Sequence, residues 1–157
     1  MSEKDDPHYW AKRRHERFDE DYAEANKATA ESGVQAVRAA FLLNGGACIA
    51  LLTFLGRNAG TETAGDLFWA AVLFSLGAAL AAFAAGATYL TNHLYVSAKA
   101  EMTRDLTHPF VHETKASKRL VGWGDFFKVV AIICVLASYA GFMAGVWAAY
   151  AATVPSA

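Results

Sequence analysis

Three stretches of this chain carry no Asp, Glu, Lys or Arg, and each is long enough to cross a bilayer. The first is the eighteen residues between Arg38 and Arg57. As a helix it would measure ~27 Å at 1.5 Å per residue, close to the roughly 30 Å of a hydrocarbon core. The second covers residues 67–98 and the third residues 129–157. A buried helix of a large soluble protein can imitate one such run, but 157 residues cannot bury three. The expected fold class is all-α: a polytopic membrane protein with three transmembrane helices and a small cytoplasmic helical bundle.

Punctuation residues divide the chain further. Asp6-Pro7 is a helix start, with Asp as cap and Pro at the first helical position. A cytoplasmic amphipathic helix is expected over residues 1–38, the first span over 39–56 and an external loop over 57–66. The second span covers 67–90, and its helix is expected to run on to Leu106. Thr107-His108-Pro109 then breaks it, since the residue before Pro resists helical geometry. A short helix from Pro109 to about Val121 follows, interrupted at Gly122-Trp123-Gly124-Asp125. Asp125 is read as the cap of the third span, residues 126–152, ahead of an external tail at 153–157. Residues 91–125 and the N-terminal helix would together form the cytoplasmic bundle.

Charge sets the expected orientation. The segments before the first span and between the second and third hold 13 of the 14 Lys and Arg; the opposite side holds only Arg57. Positive charge stays in the cytoplasm, so the N-terminus is expected inside and the C-terminus outside the cell's inner (plasma) membrane. Trp69, Trp147 and Tyr150 then fall at the outer interface, and Tyr89, Tyr95 and Trp123 at the inner one. A net charge of −1 leaves no basic surface for nucleic acid.

Candidate sites are sites of helix packing or assembly. In the N-terminal helix Ala11, His15, Phe18, Tyr22, Ala25, Thr29, Ser32, Ala36 and Ala39 recur in steps of four and three, none of them charged. The same count continues into the span as Leu43, Gly46 and Ala50, a heptad-type seam suited to close helix contact. The seam packs either on the same chain or on a second copy. Asn44-Gly45-Gly46 is the unusual part of the first span. An amide in hydrocarbon needs a hydrogen-bond partner, and it takes that partner either from a neighbouring helix or as part of a pore lining. Gly77 and Gly86 thin the second span, which suits the centre of a bundle. Gly141 and Gly145 form a G-x-x-x-G, extended by Ala137 and Ala149, that admits a second backbone closely.

No set of residues points to chemistry. There is no Ser-His-Asp arrangement, phosphate loop or pair of buried carboxylates to be found, and no span carries an ionisable carboxylate or base at its centre, which argues against ion-coupled transport. His108 and His112 have a spacing that a helix could use for a metal, but Pro109 lies between them. Cys48 and Cys134 read as small apolar packing residues. No catalytic, cofactor or metal site is therefore expected.

Residues Leu42-Leu43-Asn44-Gly45-Gly46-Ala47, followed by Ala50-Leu51-Leu52 and Phe54-Leu55-Gly56, form one motif. Over about residues 30–58 the chain resembles a group of uncharacterised small bacterial inner-membrane proteins with a charged N-terminal helix leading into an L-N-G-G-A span. The resemblance implies that location and no activity. The expected function is a non-enzymatic membrane protein that self-assembles as a scaffold or oligomeric pore, with the lipid bilayer and a second copy as partners. An accessory subunit whose cytoplasmic bundle docks another membrane or cytoplasmic protein is the alternative. A holin-like permeabilising protein ranks third, because the C-terminal tail carries no basic residue.

Overall fold

A computed structural model describes residues 9–57, 62–104 and 111–153. It contains three long helices: α1 (Tyr9–Arg57), α2 (Glu62–Ala100) and α3 (Lys115–Thr153). The segments Lys27–Arg57, Leu67–Ala100 and Lys115–Thr153 are each long and apolar enough to cross a membrane. Between α2 and α3 two-residue strands, β1 (Thr103–Arg104) and β2 (Val111–His112), pair antiparallel, with Thr103 opposite His112.

The chain divides into two compact units, Met1–Ala36 and Val37–Ala157. In the first, the described residues from Tyr9 onward are helical, and Arg13, Glu16, Arg17, Glu20, Asp21, Glu24 and Lys27 are exposed. Gly33 lies within the helix, exposed, and among the described residues no other part of the chain comes within 4 Å of where a Cβ would stand. The seam side chains of Phe18, Tyr22 and Ala25 lie outside the described residues, as does Asp6-Pro7.

The second unit is built on the α2–α3 hairpin. Along α3 the buried residues Ser117, Gly124, Ala131, Ser138 and Gly145 recur every seven positions. Along α2 Ala70, Gly77, Ala84, Thr91 and Ala98 do the same. A seven-residue repeat keeps one face of each helix turned to the other with a slight left-handed supercoil. Every residue in both rows is small, so the backbones approach closely and dispersion contacts accumulate along the seam. The Ser138 hydroxyl donates to the Gly77 carbonyl at 2.7 Å, which fixes the antiparallel register. Hydroxyls along the apolar helices mostly return to their own turn: Thr53 to Ile49 O, Thr88 to Ala84 O and Thr91 to Ala87 O. They need no partner helix.

Several expected boundaries move. The second helix ends at Ala100 rather than Leu106, and the chain turns into β1 instead. The short helix expected from Pro109 does not form as a separate piece, because Val111–His112 is a strand and helix begins only at Lys115. Thr114 caps it: its hydroxyl accepts from Ser117 N at 3.0 Å and donates to Glu101 O at 3.1 Å, tying the start of α3 to the end of α2. No interruption occurs at Gly122-Trp123-Gly124-Asp125, which lies inside α3. Gly124 sits against the Tyr95 ring, where a Cβ would stand 2.6 Å from Cε1. That close approach offsets the roughly 1 kcal/mol that a helical glycine costs. Asp125 caps nothing; its Oδ1 accepts from the Tyr95 hydroxyl at 2.5 Å. Thr107, His108 and Pro109 lie outside the described residues.

Candidate functional site

Asn44 is the centre of the second unit. It is fully buried, with 0 % of its surface exposed, in an otherwise apolar stretch of α1. Buried Ala40 lies one turn below it, and half-buried Ala47 and Cys48 lie one turn above, all on the face that meets the hairpin. The Asn44 Nδ2 donates to Ala40 O at 3.0 Å, within its own helix. Across the interface it donates to Ser138 O at 3.2 Å and to Ser138 Oγ at 3.1 Å. Since Ser138 gives its own proton to Gly77 O, its oxygen is free to accept from Asn44. One amide, one hydroxyl and one carbonyl thus join all three helices.

The Asn44 Oδ1 is buried and has no N–H or O–H donor among the described residues. It lies over Gly77: a Cβ there would stand 2.5 Å from Asn44 Cγ and closer still to Oδ1. The hydrogen that glycine carries in place of that Cβ points at the oxygen. A Cα–H···O contact of this kind, recurrent where helices touch closely, gives the amide oxygen a weak partner. Any other residue at position 77 would displace the amide.

The glycines of the G-x-x-x-G also face the hairpin. A Cβ on Gly141 would meet the Gly77 Cα and Leu73 O at 3.7 Å, ordinary contact distance. A Cβ on Gly145 would stand 2.7 Å from the Phe74 ring. That ring also leans on Phe142, with centroids 5.7 Å apart. Above the amide, Cys48 Sγ lies 3.1 Å from Ser75 Oγ and 3.8 Å from Ala71 O. The structure therefore brings together Asn44, Gly77, Gly141 and Gly145. It does not bring Gly45, Gly46 or Gly86 to them, since nothing lies within 4 Å of where their Cβ atoms would be. His112 is exposed in β2, so the helical His108–His112 spacing does not arise.

Ser138 is the residue that sequence reasoning missed. A lone Ser in an apolar helix carries no signal by itself. The signal was the seven-residue spacing of small residues from Ser117 to Gly145, which marks Ser138 as an interface position.

No protein-family model, curated protein or solved structure matches the chain. The class of protein rests on the geometry alone. Three helices long and apolar enough to span a bilayer are compatible with an integral membrane protein.

Proposed function

We propose that this is a non-enzymatic integral membrane protein that self-assembles through α1 and serves as a scaffold in a bacterial inner membrane. One observation carries the reading. Within residues 37–57 the face bearing Ala40 and Asn44 is taken up by the hairpin, whereas Ala39, Leu43, Gly46 and Ala50 of the seam remain exposed. A small-residue line left open beside a filled interface is suited to a second copy of the same helix. The pore reading draws no support from Asn44, whose amide is spent inside the bundle.

The distribution of charge supports N-in, C-out insertion, with 13 of 14 Lys and Arg on the inner side. Exposed Trp69, Trp147 and Tyr150 at one end and Tyr89 and Trp123 at the other support interfaces at those levels. The motif at residues 42–56 supports a bacterial inner membrane as the host. The exposed charges of the N-terminal unit favour the second reading, an accessory subunit that docks another protein. Light scattering of the full chain in detergent tests the proposal. The protein mass should be a multiple of 16.9 kDa and fall to one copy in Gly46→Leu, with helix content unchanged. A monomeric wild-type chain contradicts it, and crosslinks in native membranes to a foreign protein but not to itself would favour the accessory subunit.

A further inference from the structure

Beside the Asn44 node α1 and α2 enclose an open groove of about 510 Å³, within the ~300–1,000 Å³ range of small-molecule sites. Its floor is Ala81, Ala82 and Ala85 of α2, and its wall is Val37, Phe41 and Leu42 of α1. Among the described residues the one charged group lining it is Arg38. The groove exists because a row of alanines on α2 faces larger side chains on α1.

Arg38 marks the level at which the apolar stretch of α1 ends. From Arg38 to Arg57 the helix climbs ~28 Å, one hydrocarbon thickness, a length that in a bilayer would set the guanidinium at the depth of lipid phosphates. It is exposed and has no ion pair among the described residues. A guanidinium matches phosphate oxygens two at a time, and its aliphatic stem can lie along the apolar wall. Basic pockets between transmembrane helices hold anionic headgroups by the same logic.

We propose that this groove is a binding site for one anionic glycerophospholipid, with an acyl chain along Ala81, Ala82 and Ala85 and the headgroup phosphate on Arg38. The site depends on insertion in a bilayer but not on self-assembly or on which end faces the cytoplasm. Its chemistry is complementary on both counts: an apolar trough for the chain and, among the described residues, a cation without an ion pair at its mouth.

Native mass spectrometry of the full chain, released from micelles doped with equal phosphatidylglycerol and phosphatidylcholine, tests this. The wild type should retain one phosphatidylglycerol in preference to phosphatidylcholine by about fivefold, the scale of one interfacial basic residue. Arg38→Gln should lose that preference and Arg38→Lys should keep most of it. Ala82→Leu with Ala85→Leu, at two exposed positions, should reduce retention of both lipids while circular dichroism stays unchanged. Equal retention of the two lipids by the wild type overturns the proposal, as does an unchanged preference in Arg38→Gln. Undiminished retention in the filled-groove variant also overturns it. So does a dimer that dissociates when the groove is filled, since a second copy would then be the occupant.

Discussion

The amide of Asn44 occupies the space that a side chain on Gly77 would need. Two residues on different helices are thus mutually dependent, and each substitution reads differently according to what stands at the other position. Gly77→Ala should destabilise the bundle by about 1–3 kcal/mol, the usual penalty for overpacking. Asn44→Ala should cost about 1–2 kcal/mol through the lost interhelical bond and the space left behind. The double variant should be less damaged than the sum, with a coupling of roughly 1 kcal/mol or more, because the shortened side chain makes room for the new methyl. Equilibrium unfolding of the four proteins by detergent titration measures the cycle.

Ser138 both accepts from Asn44 and donates to Gly77. Ser138→Ala removes both bonds and leaves the Gly77 carbonyl without its extra donor, while the amide keeps Ala40 O and the backbone carbonyl of residue 138. The same titration should show a loss of about 1 kcal/mol, within the range for membrane hydrogen bonds. Coupling to Asn44→Ala should be clear, because the two residues share one contact.

The two glycines of the G-x-x-x-G should not respond alike. A methyl on Gly141 meets backbone at 3.7 Å and fits, so Gly141→Ala should change stability by no more than about 0.5 kcal/mol. A methyl on Gly145 runs into the Phe74 ring, so Gly145→Ala should cost about 1–3 kcal/mol. Gly145→Ala paired with Phe74→Leu should recover part of the loss.

At the ribbon end of the hairpin the Tyr95 hydroxyl donates to Asp125 at 2.5 Å. Tyr95→Phe and Asp125→Asn should each lower the melting temperature in detergent, by an amount corresponding to about 1 kcal/mol for a partly exposed bond. Neither should alter the helix content. Thr114→Ala should cost a similar ~1 kcal/mol by uncapping α3.

Three helices long and apolar enough to cross a membrane were legible in the sequence because uncharged runs such as the eighteen residues after Arg38 are of span length. Asn44 was legible as an amide that must find a partner. Which partner it finds was not, since Ser138 is 94 positions away and nothing local distinguishes it. The continuity of α3 was hidden by local punctuation. Gly122, Gly124 and Asp125 read as a break, yet Gly124 is there to admit the Tyr95 ring and Asp125 to receive its hydroxyl. Tertiary contact overrode propensity at those positions. The two seven-residue rows of small residues were in plain view. They were obscured by an abundance of alanine that makes every face of α2 look small.

α1 packs against the hairpin through the face that carries Asn44, and the contact one turn above the amide is the place to probe that packing. Cys48 Sγ and Ser75 Oγ are 3.1 Å apart, close enough for a disulfide after a small side-chain adjustment. In a Ser75→Cys, Cys134→Ala chain oxidised in native membranes, disulfide formation within one chain should be rapid and nearly complete. Free thiols at both positions, or disulfides only between chains, would contradict it.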